Sequence, residues 1–333
     1  FTPKEIVNTW DKWLSRQIAV GTGGYYEGKV DEKSRDNLQL GVGIEECRPQ
    51  GQKFFTDETV TLWARIQAKA LEFDDTDTTL ELKTWCEYKT EKKTIATEPK
   101  LIQIDRYGDE FVDCEFSAQE LGEGYKYITL YVLYEFSTKS YLRTYFMEDS
   151  HIKSYLMQNK DPLAEYKITE RRPISTFTNG PVKLGIGTNE EFPLRVRDNG
   201  QFATLYGLTI DNRHPSDGII KELKDIKIKM PVSLAFDQTS CDFSMYKGEI
   251  EVDEVLGEQY MRYTLIKDEK KLTERKLKDI DQFLTLNCKV NIQDKQDLLR
   301  DSPLAVKFFR AEIVYDYQMS KRAMVQIAKE PLP

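Results

Sequence analysis

Ile128-Thr-Leu-Tyr-Val-Leu-Tyr-Glu-Phe136 and Phe309-Arg-Ala-Glu-Ile-Val-Tyr-Asp-Tyr317 decide the fold. In the first run Ile128, Leu130, Val132, Tyr134 and Phe136 take every second position. In the second, Phe309, Ala311, Ile313, Tyr315 and Tyr317 do the same. A period of two is that of a β-strand with one face buried. Each run leads into a short polar stretch, Thr138–Ser140 or Met319–Lys321, and then into further residues ending at Phe146 or Ile327. That arrangement predicts a closing hairpin of an antiparallel sheet, written twice.

Upstream of these runs the matches continue. Leu38-Gln-Leu-Gly-Val-Gly43 corresponds to Val182-Lys-Leu-Gly-Ile-Gly187, and Leu62, Ala64 and Ile66 to Tyr206, Leu208 and Ile210. Cys86-Glu-Tyr88 corresponds to Cys241-Asp-Phe243, and Val112, Cys114 and Phe116 to Leu286, Cys288 and Val290. The separation between matched strands only grows along the chain. One ancestral domain, duplicated and then lengthened in its second copy around Gly248–Gln259 and Lys267–Asp279, gives that pattern. The expected organisation is an N-terminal helix over 1–24, a first domain over 25–150, a linker over 151–179 and a second domain over 180–333. The predicted fold is all-β: two tandem antiparallel β-sandwiches, immunoglobulin-like, preceded by a short amphipathic helix.

Four of the five cysteines recur as pairs on inward strand positions. One disulfide per domain follows, Cys86–Cys114 and Cys241–Cys288, with buried free thiols as the alternative. Disulfides imply an oxidising compartment. Cys47 has no counterpart, since its match is Glu191. It is either a buried thiol or an odd cysteine open to an intermolecular bond.

Thr2-Pro3-Lys4-Glu5 has the form of a capping box with proline at the first helical position. Ile6, Trp10, Trp13, Leu14 and Ile18 then share one helical face, and Gly21, Gly23 and Gly24 end it. This helix packs on its own domain, forms a stem below an anchor, or contacts another subunit. In the linker, His151–Asn159 suits two helical turns. Ile168–Thr178, with Arg171-Arg172-Pro173, reads as extended chain.

The net charge of −8 argues against nucleic acid or an anionic membrane surface as the main partner, because both require a basic footprint. No apolar run approaches the roughly 20 residues that span a bilayer. The chain begins at Phe1 rather than Met, which reads as processing or trimming, and any signal peptide or membrane anchor is expected to lie outside these residues. Only two histidines occur, His151 and His214, and there is no G-x-S-x-G elbow. Gly41-Val-Gly43 and Gly185-Ile-Gly187 lack the third glycine and following helix of a dinucleotide fingerprint, so they read as structural. Glu72–Asp77 is acidic but lacks the glycine and distal glutamate of a calcium loop, and reads as a solvated turn. No enzyme activity, cofactor or metal is indicated, and no Asn-x-Ser/Thr sequon occurs.

The copies differ most in residues expected to point outward. The first carries Trp63, Trp85, Tyr131, Tyr141 and Tyr145, where the second carries Gly207, Ser240, Glu312, Arg322 and Gln326. Outward aromatics imply coverage or recognition. The Trp10/Trp13 helix or the linker lies over them, or they form a contact surface for another subunit, a protein or a carbohydrate.

The second copy, through Gly185-Ile-Gly-Thr188, Pro193, Leu205-Tyr-Gly-Leu-Thr-Ile-Asp-Asn212, Ile226–Pro231 and Cys241/Cys288, resembles the CARDB-like immunoglobulin repeats of archaeal cell-surface and secreted proteins. The resemblance covers about 140 residues there, and the first copy more weakly. It implies an extracellular or cell-surface spacer, adhesion or assembly module with no catalytic residues. The expected function is a non-enzymatic structural or assembly protein of the cell surface, membrane-tethered or a filament subunit, with protein partners. The alternatives are an adhesion or ligand-binding module and a cytosolic two-sandwich adaptor, the last requiring free thiols.

Overall fold

The computed structural model describes residues 26, 28–30, 40–70, 79–88, 93–105, 107–197, 204–212, 218–253, 257–266, 277–280 and 282–329. The expected N-terminal helix, with Trp10 and Trp13, lies outside the described residues. In chain order the strands are β1 (Gly28–Val30), β2 (Gly41–Pro49), β3 (Lys53–Phe55), β4 (Thr59–Lys69), β5 (Thr79–Tyr88), β6 (Lys93–Asp105), β7 (Tyr107–Ser117), β8 (Gly124–Glu148), β9 (Ser175–Phe177) and β10 (Lys183–Thr188). They continue with β11 (Leu194–Val196), β12 (Thr204–Asp211), β13 (Gly218–Pro231), β14 (Leu234–Asp237), β15 (Ser244–Asp253), β16 (Glu258–Ile266), β17 (Lys278–Ile280), β18 (Phe283–Ile292) and β19 (Leu304–Ala328).

The chain forms two compact units, and neither is continuous in sequence. Unit A comprises Leu38–Ser137, His214–Glu222 and Val314–Pro333; unit B comprises Phe1–Asn37, Thr138–Arg213 and Leu223–Ile313. The expected contiguous domains, 25–150 and 180–333, therefore differ from the packed units. The cause lies in the two deciding runs. No hairpin turn forms at Thr138–Ser140 or at Met319–Lys321. β8 and β19 each run unbroken for 25 residues, and each passes from one unit to the other. Thr138, Ser140 and Thr144 keep the alternation in phase and are fully buried, so the strand has no reason to turn. Each unit is completed by the end of the other copy's long strand.

Unit A is a two-layer sandwich. One layer is β2–β4–β7, with Trp63 opposite Arg48 on one side and Asp113 on the other. In β4, Val60, Leu62, Ala64, Ile66 and Ala68 are buried and the residues between them are half-exposed. The other layer holds β5, between β6 and the first half of β8, and the second half of β19. Its inward face is aromatic: Tyr134 meets Tyr317 edge-on at 5.8 Å, and Phe136 lies 6.3 Å from Tyr315. The Cys86–Cys114 disulfide joins β5 to β7 across the layers. At the β2 edge a bulge follows Ile44, and Lys321 of β19 donates to the Ile44 and Glu45 carbonyls at 2.8 Å each. A bulge interrupts the ladder and leaves carbonyls that a side chain can satisfy.

Unit B is a second sandwich. One layer is β10–β12–β18–β14; the other takes β15, β16, β13, the first half of β19 and the second half of β8. Tyr206 stacks on Phe309 at 4.3 Å and Phe236 meets Tyr263 edge-on at 4.9 Å, filling the space between layers. The second disulfide, Cys241–Cys288, ties the turn before β15 to β18. The stretch expected as a linker is part of this unit. Its predicted helical turns appear as the helix Asp149–Met157. Ile152, Leu163 and Phe177 are buried, and β9 pairs with β8. The apolar residues spaced through a polar segment account for its docking.

Candidate functional site

The outer faces of unit A carry two aromatic clusters. Trp63 points away from the core because Leu62 and Ala64, its neighbours along β4, point into it. The Arg48 guanidinium lies 4.4 Å above the Trp63 ring, and Phe111, 61% exposed, lies 6.4 Å away. Beside them Arg65 pairs with Asp109 at 2.8 Å, and Gln67 Nε2 donates to the Tyr107 hydroxyl at 2.7 Å. The Arg65 hydrogen bond holds the Asp109 carboxyl below its ordinary range. On the other layer Trp85 and Tyr131 face each other in register and stack at 5.3 Å. Trp85 Nε1 donates to Glu87 at 3.0 Å, and burial raises the Tyr131 phenol above its ordinary value.

The five expected aromatics do not share one surface. Trp63 lies on one layer of unit A and Trp85 with Tyr131 on the other. Tyr141 and Tyr145 are carried into unit B by the unbroken β8. Tyr141 is exposed there. Tyr145 is not an outward residue: it is 4% exposed, its ring meets Phe192 edge-on at 5.4 Å, and its hydroxyl donates to Glu170 at 2.9 Å.

In unit B the position matching Trp63 is Gly207, and its outer side is covered by Tyr26. A Cβ at Gly207 would stand 1.8 Å from the Tyr26 ring, and one at Gly187 would stand 2.5 Å from it. The Tyr26 hydroxyl donates to Asn287 Oδ1 at 2.8 Å. The Gly185-Ile-Gly187 element is thus structural, its second glycine a seat for an aromatic ring. Tyr26 thus covers a face of the second copy.

Unit B also holds a concave site that the sequence reading passed over, a cavity of about 550 Å³. Its floor is a sheet face on which Thr176 of β9 stands between Lys29 of β1 and Tyr141 of β8, in register. Arg143 lies two residues further along β8 on the same face. The wall is Thr169–Ile174. The Tyr145–Glu170 hydrogen bond and the Phe192 amide on the Arg171 carbonyl, 3.1 Å, fasten it. Arg143 hydrogen-bonds the Tyr145 hydroxyl, and the neighbouring acceptors keep its guanidinium charged. Arg171 pairs with Asp161. Lys29 and Arg172 are exposed and make no ion pair among the described residues. Arg171-Arg172 was the available signal, but the partners that give it meaning, Lys29 and Arg143, are far away in sequence.

Among the described residues no group of three His, Cys, Asp or Glu side chains is placed to hold a metal ion. His151 lies on the exposed side of the helix Asp149–Met157, 3.8 Å from Glu148.

No family model matches the chain, and no curated protein matches it. Solved structures similar to it include the collagen-binding domain of the Erysipelothrix rhusiopathiae surface protein RspB, at 9% identity over 88% of this chain and 98% of that one, with a TM-score of 0.20. The collagen adhesin of S. aureus matches at 9% identity over 89% and 99%, with a TM-score of 0.17. The major pilin SpaD of Corynebacterium diphtheriae matches at 12% identity over 81% and 62%, with a TM-score of 0.22. At such scores the likeness carries no argument about function, and the sandwich architecture rests on this chain's own strands and disulfides.

Proposed function

We propose that the protein is a non-enzymatic structural or assembly protein of the cell surface, in which the aromatic outer faces of unit A contact a second copy of the chain. The observation that carries this reading is the asymmetry between the copies. Trp63 with Phe111, and Trp85 with Tyr131, remain accessible on unit A, while the matching Gly207 of unit B is covered by Tyr26. A patch present on only one of two similar units suits a heterologous contact, which propagates head to tail. The two disulfides support an oxidising, extracytoplasmic setting and weigh against the cytosolic adaptor. No helix of the described residues is long and apolar enough to cross a membrane.

Light scattering across a concentration series tests the proposal. The expected result is growth into oligomers that is abolished in the Trp63→Ser, Trp85→Ser double variant. A monomer at every concentration, or growth unaffected by the double substitution, would sink it.

A further inference from the structure

We propose that the unit B cavity binds an acidic sugar, a saccharide unit carrying a carboxylate or sulfate group. This goes beyond the assembly reading and does not depend on it, since the residues concerned belong to the other unit. In a chain of net charge −8, Lys29, Arg143, Arg171 and Arg172 converge on one concavity. Arg171 is engaged by Asp161 and Arg143 by Tyr145, but Lys29 and Arg172 have no anionic partner among the described residues. Guanidinium groups select carboxylate and sulfate oxygens by paired, charge-assisted hydrogen bonds.

Three further features narrow the ligand. The volume, about 550 Å³, lies in the range of small-molecule sites and far exceeds a bare inorganic anion. Its polar groups include acceptors as well as donors: Thr169, Thr176 and the Glu170 carboxylate suit a ligand that offers hydroxyl groups together with its charge. Tyr141, 40% exposed, stands in register beside Thr176 and presents a ring at the floor, an amphipathic surface for the face of a sugar. A peptide fits less well. β9, which carries Thr176, is already paired on both edges, with β1 and β8, so it offers no free strand edge for main-chain recognition.

Titration calorimetry on the full chain tests this with a sulfated uronate-containing disaccharide, a neutral disaccharide, inorganic sulfate and a hexaglutamate peptide. Saturable one-to-one binding of the acidic disaccharide is expected, weakened about tenfold or more by Arg172→Gln and again by Lys29→Gln. Both side chains are exposed, so neither change endangers folding. Tyr141→Ala should weaken the disaccharide while leaving any sulfate binding unchanged. No acidic disaccharide binding at millimolar concentration would overturn the proposal. So would equal binding of the neutral sugar or of sulfate alone, tighter binding of the peptide, or affinity unchanged in the Arg172→Gln, Lys29→Gln variant.

Discussion

The two units grew from one pattern, yet unit A shows aromatic rings to solvent where unit B buries one. Trp63 and Gly207 occupy matching positions on matching strands, β4 and β12. At Trp63 the outer side lies against Arg48 and Phe111, both exposed. At Gly207 the side chain is supplied by another segment, through Tyr26. A duplicated face can therefore be finished in two ways, by a residue of its own strand or by a ring brought in from elsewhere. Only the first leaves a surface available to a partner.

The largest expected effect breaks both units at once. Cys86–Cys114 closes a loop of 28 positions and Cys241–Cys288 one of 47. In the chain-entropy description these contribute about 3.5 and about 4 kcal/mol. Replacing each pair by serine should lower the denaturant midpoint in that order, read by urea unfolding with separate probes for the two units. Equal small losses from both would show that the loops are already constrained in the unfolded chain.

Exchanging the matched residues sharpens the comparison. Gly207→Trp must expel the Tyr26 ring and should cost about 1–3 kcal/mol or more. Trp63→Gly, at a half-exposed position in mid-strand, meets no clash and should cost about 1 kcal/mol, mostly in backbone freedom and strand propensity. Similar losses from both substitutions would mean that the faces are not finished differently. A milder cut is Tyr26→Phe, which removes the hydrogen bond to Asn287 and should destabilise by about 1 kcal/mol.

The smallest effect concerns a group found only in unit A. Cys47 is half-buried, its thiol 3.9 Å from the Lys321 carbonyl, and burial raises its pKa from 9.0 to about 11 despite the nearby Lys321 charge. The folded state holds this proton more tightly than the unfolded state does. Stability from this site is therefore fully present below pH 9.0 and declines as pH rises toward 11. Alkylation of Cys47 at pH 8 should be slow in the folded protein and fast in urea. Fast labelling of the native chain would overturn that reading and reopen Cys47 as a site for an intermolecular bond.

What the sequence alone determined was the local periodicity and its duplication. Alternation fixes which side of a strand is buried, because successive Cβ atoms point to opposite faces. The inward Cys86 and Cys114, repeated as Cys241 and Cys288, carried the disulfide pairing. The tertiary structure decided where the long strands go. Thr138 and Ser140 read equally as a turn or as strand residues, since small hydroxyl side chains occur in both settings. The partner that selects the strand is remote: Thr138 donates to the carbonyl of Val182. The cavity in unit B was hidden for the same reason. Lys29, Arg143 and Arg172 are unremarkable surface cations in sequence, and they converge only after β1, β9 and β8 align.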